Sequence, residues 1–552
     1  SPNAASYTIS NLSGITIADG SGGAASNYTL TGGTHNFIVN RRVVGVSGTR
    51  LYDATTNAVA SDLSTHANLV GTQTLTLSGT GTIASKDVGS NKTVSVGTLA
   101  LADGSNGGLA ANYTLTGGTH QLTVNQRPLN ATLARQYDGT TNAAGSTLSS
   151  LDALQGGETL TMTGSGTAAS ANVANGITMS SNGNLALANG TGAASNYSLN
   201  STVINIAKRV LNSSGSKTYD ANTNALAADI TLSNLVSGEA LNHSGTATIG
   251  SPNAASYTIS NLSGITIADG SGGAASNYTL TGGTHNFTVN RRVVGVSGTR
   301  LYDATTNAVA SDLSTHANLV GSETLTLSGT GTIASKDVGS NKTVTVGTLA
   351  LADGSNGGLA ANYTLTGGTH QLTVNQRPLN ATLARQYDGT TASAGSTLSS
   401  FDALQGGETL TMTGSGTAAS ANVANGITMS SNGNLALADG TGAASNYSLN
   451  STVINIAKRV LNSSGSKLYD ANTNALAGAI TLSNLVSGEA LNHSGTASTS
   501  SANVGSYTIS NLTGITIADG SGGTASNYTL TGGTHNFAIN QRPLNATLAR
   551  QY

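Results

Sequence analysis

The chain has 552 residues, a net charge of −2, 8% charged and 4% aromatic residues, and neither Trp nor Cys. Globular chains carry about 25% charge and disordered ones couple high net charge to low hydrophobicity, so 71 glycines beside 37% hydrophobic residues argue against both. The lack of Cys rules out a disulfide framework or thiolate metal site, the near-neutral balance leaves no basic footprint for nucleic acid, and no stretch reaches the roughly 20 apolar residues of a membrane-spanning helix.

Internal repetition dominates what remains. Tyr-Asp pairs fall at Tyr52-Asp53, Tyr137-Asp138, Tyr219-Asp220, Tyr302-Asp303, Tyr387-Asp388 and Tyr469-Asp470, with Tyr552 as the next equivalent tyrosine. Their spacings are 85, 82 and 83 residues, repeated twice, which defines a super-repeat of 250 residues. A second marker, Asn-Tyr, recurs at Tyr28, Tyr113, Tyr197, Tyr278, Tyr363, Tyr447 and Tyr528. Asn112-Tyr113 and Asn196-Tyr197 are typical of it. The segment Ser1 to Tyr7 returns unchanged at Ser251 to Tyr257, and Ser501 to Tyr507 is a diverged third copy. Differences between the first two copies are mild: Ile38 against Thr288, Ser95 against Thr345, Leu151 against Phe401. These markers divide the chain into a partial repeat at 1–40, full repeats at 41–125, 126–207, 208–290, 291–375, 376–457 and 458–540, and the start of another at 541–552. Both ends cut a repeat, which reads as a window on a longer chain.

Within the repeat 41–125, Val43 to Val46 and Arg50 to Tyr52 read as opening strands. Thr74 to Ile83 alternates strictly, with Leu75, Leu77, Gly79, Gly81 and Ile83 on one face and Thr74, Thr76, Ser78, Thr80 and Thr82 on the other. A period of two marks a half-buried strand. Lys92 to Leu101 predicts a further strand. Asn112 to Leu115 and Gln121 to Asn125 predict two more around Gly117-Gly118. Helical periodicity is nearly absent, and Leu148 to Leu154 with its copy is a single turn at most. The expected fold is all-β: a tandem array of ~83-residue β-sandwich-like, alternatively β-grasp-like, modules. A solenoid would show a sub-period of about 20–30 residues, and none is present. Junctions carry a basic residue (Arg41-Arg42, Gln126-Arg127-Pro128, Lys208-Arg209) and no Gly/Ser linker. The last strand of one module should therefore run into the first of the next, giving an elongated rod on the order of 200 Å for six modules.

Each candidate for chemistry has a plainer structural reading. Tyr52-Asp53 and its copies fit a buried ring with a bonded hydroxyl, followed by an Asp that caps a turn; a catalytic pair would need a third recurring partner. The loops Asp19-Gly20-Ser21-Gly22-Gly23 and Asp103-Gly104-Ser105-Asn106 offer one carboxylate each, whereas calcium takes six to eight oxygens, and Asn189 stands where its copy has Asp439. His35, His120, His285, His370 and His535, with His66, His243, His316 and His493, show no metal-ligand spacing. Glu158, Glu239, Glu323, Glu408 and Glu489 are single within their modules, and Gln73 replaces the first equivalent, so the paired carboxylates of glycoside hydrolysis are missing. The hydroxyl face of Thr74, Thr76, Thr80 and Thr82 reads as strand propensity before it reads as a binding surface. We therefore expect no catalytic, cofactor or metal site.

Several ordered motifs resemble one family. Tyr137-Asp138-Gly139-Thr140-Thr141-Asn142-Ala143, then Gly157-Glu158-Thr159-Leu160-Thr161, an Asn-Val segment and Ala194-Ser195-Asn196-Tyr197-Ser198-Leu199 resemble the YDG-type repeat of filamentous-haemagglutinin-like adhesins, large exoproteins of Gram-negative bacteria. Two modules in three depart from it by reading Tyr-Asp-Ala, as at Ala54 and Ala221, and the loop Asp103 to Ala110 is long. The resemblance implies an extracellular address on a bacterial cell surface and a role in adhesion, aggregation or biofilm. On this reading the chain is a structural stalk or filament segment, not an enzyme. Its partners would be neighbouring repeats or copies of itself. The alternatives are a self-assembling extracellular filament and a multivalent weak glycan-binding array.

Overall fold

The computed structural model describes residues 1–259, 261–509 and 511–551; Tyr552 lies outside them. Strands and three-residue 3-10 turns make up the regular structure. In the partial repeat, β1 (Ala5–Thr8) pairs antiparallel with β2 (Asn36–Val39). The repeat 41–125 then runs β3 (Arg42–Val43), β4 (Gly45–Leu51), β5 (Asn57–Val59), β6 (Thr65–Ala67), β7 (Leu75–Ser78), β8 (Thr80–Ile83), β9 (Gly89–Ser95), β10 (Ala100–Asp103), β11 (Tyr113–Thr114) and β12 (His120–Asn125).

Six of these form one sheet in the order β5-β8-β9-β12-β4-β6. Its first and last long strands, β4 and β12, are neighbours and run parallel, from Val46↔His120 to Leu51↔Asn125. The short pairs β7–β10 and β3–β11 complete the module, and the sheets curl into half-barrels. Val44, Val46, Tyr52, Ala58, Leu63, Leu122 and Val124 are almost fully buried. Alternation thus turns into a one-sided core, as a pleated strand requires.

The alternating segment 74–83 is two strands rather than one. Gly79 adopts φ +85°, a left-handed conformation that costs glycine little, and there the chain leaves the β7–β10 ribbon and enters the large sheet as β8. A Cβ at Gly79 would also lie 2.1 Å from the Thr98 carbonyl oxygen. Likewise 92–101 divides between β9 and β10. The candidate helical turn at 148–154 is corrected: Thr147–Leu151 is a strand, with Ala131↔Leu151 and Thr132↔Ser150 in register. Leu148 and Leu151 sit three apart, which a helix and a bulged edge strand accommodate equally, and the bulge between Thr132 and Leu133 resolves it.

After β12, only Gln126 precedes β13 (Arg127–Gln136), the first strand of the next module. That module continues with β14 (Thr147–Leu151), β15 (Leu160–Thr163), β16 (Thr167–Ala168), β17 (Ala174–Ser181), β18 (Ala186–Asn189) and β19 (Tyr197–Ala207). Its sheet has the order β14-β13-β19-β17-β16, again with first and last strands parallel. The modules 291–375 and 376–457 repeat these two strand orders. By internal contacts the chain falls into two compact units. The first comprises 1–217, 223–251 and 256–288; the second comprises 218–222, 252–255 and the chain from Val289 onward.

Candidate functional site at the module joints

The recurring motif residues meet where one module abuts the next. Tyr52, from the strand end of module 41–125, is fully buried against Tyr197 of module 126–207. Their ring centroids are 5.2 Å apart at 75°, an edge-to-face pair. Both hydroxyls donate to the two oxygens of Glu158, from Tyr52 at 2.7 Å and from Tyr197 at 2.8 Å. The Lys86 ammonium, back in the first module, pairs with the same carboxylate at 2.5 Å and lies over the Tyr52 ring. Beside this cluster the buried Asn196 bridges the modules: its Oδ1 accepts the Val88 amide at 2.9 Å, and its Nδ2 donates to Asp87 at 2.9 Å. Arg127 closes the joint by donating from Nε to the Tyr52 carbonyl at 2.6 Å.

The tyrosine pair on one carboxylate recurs four times, and the lysine recurs with it at Glu408, as Lys336. Tyr137 and Tyr278 share Glu239, Tyr219 and Tyr363 share Glu323, Tyr302 and Tyr447 share Glu408, and Tyr387 and Tyr528 share Glu489. Each tyrosine pair is edge-to-face at 5.2–5.4 Å. Asn277, Asn362, Asn446 and Asn527 each accept an amide from the preceding module, from Val173, Ala254, Val338 and Val423 respectively. In the first repeat, Gln73 stands at the glutamate position and accepts from Tyr113, while Asn112 accepts the Ala4 amide at 2.7 Å. Tyr469 is 38% exposed and Val504 47% exposed. They are the equivalents of Tyr52 and Val88 on module 458–540.

Each element of a joint follows from its local sequence. A 3-10 turn (Ala194–Asn196 in the second module) delivers the buried Asn and then the Tyr. The turn is anchored by the loop acid or amide: the Ala194 amide donates to Asn189 Oδ1, as Ala444 does to Asp439 and Ala110 to Asp103. An acceptor oxygen suffices for that bond, which is why Asn and Asp interchange there. The aspartate of the Tyr-Asp pair holds a turn within its own module. Asp53 Oδ1 accepts the Thr55 amide at 2.9 Å while Oδ2 takes the Arg50 guanidinium at 2.8 Å. Arg135, Arg300 and Arg385 repeat this with Asp138, Asp303 and Asp388, and Lys467 takes the role with Asp470.

The residue after that aspartate is left-handed throughout: Ala54 at φ 62°, Ala221 at 61°, Ala304 at 63° and Ala471 at 70°, against Gly139 at 78° and Gly389 at 76°. Alanine costs about 1 kcal/mol there relative to glycine. Ala54→Gly should therefore raise stability by about 0.5–1 kcal/mol. Gly139→Ala should lower it by more than that, because its Cβ would sit 2.8 Å from Val236 Cγ1 across the joint. Urea denaturation followed by hydrogen exchange at each loop measures both, and a loss in Ala54→Gly would contradict the assignment.

The electrostatics favour neutral tyrosines and an ionised glutamate. Burial, reinforced by the neighbouring carboxylate, pushes Tyr137, Tyr219, Tyr363 and Tyr528 up to about 12, and Tyr197 and Tyr447 likewise to about 12. Burial alone would raise the Glu158 and Glu408 carboxyls, but hydrogen bonds from the lysine and the two tyrosines outweigh it and hold both below the usual range. Hydrogen bonds from Asn196 and Ser85 lower Asp87 similarly. A raised tyrosine pKa contributes stability in full below its unfolded value near 10, and that contribution fades as pH climbs toward 12. A lowered carboxylate pKa contributes above the unfolded value near 4 and is lost as pH falls through the folded one. Joint amides should thus stay protected from about pH 5 to 9 and open on either side. Tyrosinate absorbance and hydrogen exchange across that range test this; opening near neutrality would contradict it.

Seven of the nine histidines bond backbone carbonyls through Nε2. His120 Nε2 donates to the Leu115 carbonyl at 2.8 Å, and its Nδ1 accepts the Val46 amide at 3.3 Å. His370 repeats both contacts. His285 and His535 close the same turn with Ser213 and Ser463 at Nδ1. His35 makes the Nε2 contact to Leu30, while His243 and His493 bond backbone carbonyls through Nε2. Burial lowers the pKa of His66 and His316. Among the described residues no group of three or more His, Asp or Glu is placed to hold a metal ion, and no helix is long and apolar enough to cross a membrane.

A family model described as the YDG domain matches residues 40–124, 119–204, 207–285, 288–374, 370–454 and 457–535. The chain belongs to the YDG domain family. No curated protein matches it. Among solved structures, the Bacillus anthracis TIE protein is similar at 7% identity over 70% of this chain and 74% of that one, with a TM-score of 0.13, too slight to bear on the fold. In this YDG array the name-giving Tyr-Asp unit works in two directions: the tyrosine points into the next module and the aspartate into its own.

Sequence reasoning singled out the tyrosines, the Asn-Tyr pairs and the glutamates but placed them within modules. It read Ser85-Lys86-Asp87-Val88-Gly89 only as part of the motif order and Arg50 only as part of an opening strand, and gave none of them a role at a joint or turn. The available signal was a fixed offset: each Tyr-Asp tyrosine and its glutamate lie 102–106 residues apart, longer than one repeat.

Proposed function

We propose that this YDG array is a structural stalk or filament segment of an exported bacterial surface adhesin of the filamentous-haemagglutinin-like kind, with no catalytic role. The observation that carries this reading is where the recurring side chains are used. Tyrosine, glutamate and asparagine, the residues best suited to a ligand site, are spent on buried contacts between consecutive modules. A repeat architecture whose distinctive groups join neighbours gains length by adding units, each stabilised mainly by the next. Near-identity between the two 250-residue copies fits a role set by repeat number.

Two measurements test the proposal. Antibody against the chain should label intact, unpermeabilised cells of its source, and the full 552-residue chain should leave a glycan array blank. Labelling only after permeabilisation overturns the surface address. Saturable glycan binding overturns the stalk in favour of a multivalent binding array, whose avidity would come from weak sites in each module.

A further inference from the structure

The loop that donates to the joint asparagine changes with the kind of module that follows it. Modules differ in the loop before the 3-10 turn. The bond from the loop acid or amide to the turn amide spans seven residues in 41–125 and 291–375 (Asp103 to Ala110, Asp353 to Ala360). It spans six in 208–290 and 458–540, and five in 126–207 and 376–457. Both long-loop modules are preceded by Pro-Asn-Ala, at 2–4 and at 252–254. The shorter-loop modules are preceded by Lys86-Asp87-Val88, Ala171-Asn172-Val173, Lys336-Asp337-Val338 and Ala421-Asn422-Val423.

The structure gives this pairing a steric basis. Pro2, Asn3 and Ala4 line one cavity together with Gly107, Asn112 and Tyr113, so the long loop faces the Pro-Asn-Ala segment across it. Where the donor is valine, its side chain fills the joint instead: Val88, Val173 and Val423 pack on the apolar clusters that contain the joint tyrosines. A natural exchange exists in the chain. Module 458–540 shares the scaffold of 208–290, yet carries Ala502-Asn503-Val504 in place of Pro252-Asn253-Ala254. The segment after it, 541–551, repeats 126–136 and not 291–301. Donor loop and successor change together on one scaffold.

We infer that this three-residue donor loop specifies the type of module that can dock after it, Pro-Asn-Ala selecting the long-loop module and Asn-Val or Asp-Val the shorter-loop ones. The partner is thus another module of this same chain, and the inference stands on joint geometry alone, whatever the array does in the cell.

The test uses the full chain. Pro252→Ala combined with Ala254→Val places an Asn-Val donor before the long-loop module 291–375. Hydrogen exchange at the residue 254 amide, bonded to Asn362 at 2.8 Å in the native chain, should accelerate at least about tenfold, equivalent to about 1.4 kcal/mol. The five other donor amides (residues 4, 88, 173, 338 and 423) should not change, which also shows that the chain remains folded. Replacing 353–362 in that variant by the shorter loop 439–446 should restore protection. Unchanged protection in the mismatched variant overturns the inference. So does a matched loop that fails to restore protection, which would leave the pairing as a trace of modules duplicated together.

Discussion

Glu158→Ala is expected to weaken its joint by about 3–5 kcal/mol. Two buried hydroxyls, of Tyr52 and Tyr197, lose their acceptor at once. Each unsatisfied buried donor costs about 1–3 kcal/mol. Lys86 loses its partner too, but its side chain is 42% exposed and water compensates for most of that. Glu158→Gln should cost less, about 1–2 kcal/mol, since its one amide oxygen still accepts from one of the two hydroxyls, as Gln73 does from Tyr113. Exchange at the Val88 amide, which crosses the joint, reads both variants. A change below about 0.5 kcal/mol in Glu158→Ala would remove the carboxylate from the account.

Tyr302→Ala should cost about 3–5 kcal/mol, through the cavity left by a fully buried aromatic ring and the loss of its edge-to-face contact with Tyr447. Tyr302→Phe keeps the ring and should lose about 1–2 kcal/mol, the cost of its hydroxyl bond to Glu408. Tyr469→Ala provides the comparison: the same motif position, 38% exposed, should lose far less. Local exchange should place the Tyr302→Ala damage at the Val338 and Tyr302 amides and leave the joint at Tyr387 intact, since each repeat contacts only its neighbours. Equal losses at Tyr302 and Tyr469 would mean that the ring supports its own module and not the joint.

Much of the fold was legible because it rests on local pattern. Of the face that the alternation of Thr74 to Ile83 turned inward, Leu75, Gly81 and Ile83 are buried, Leu77 is half-buried and Gly79 is exposed. The alternation did not predict the break at Gly79, because glycine fits an alternating pattern and a left-handed kink equally well. The strand at Thr147–Leu151 was misjudged for a related reason: its leucines fit two periods, and only its pairing with β13 decides. The joints were invisible for a different reason. Motif order within a repeat is readable along the chain, but Tyr52 and Glu158 belong to successive repeats, and the copies offer Tyr137, Tyr219, Tyr302, Tyr387 and Tyr469 a glutamate in their own modules as well. Only the fold excludes that nearer choice.

The parallel pairing of β4 with β12 has a consequence for how the chain bears load. The chain enters the six-stranded sheet of this module through β4 and leaves it through β12, and the two strands run in the same direction side by side. Tension applied through the neighbouring modules therefore slides one strand along the other, so the hydrogen bonds from Val46↔His120 to Leu51↔Asn125 must give way together. An antiparallel pair loaded from one end would unzip, its bonds breaking in sequence. With only Gln126 between β12 and β13, that tension passes from sheet to sheet with almost no slack.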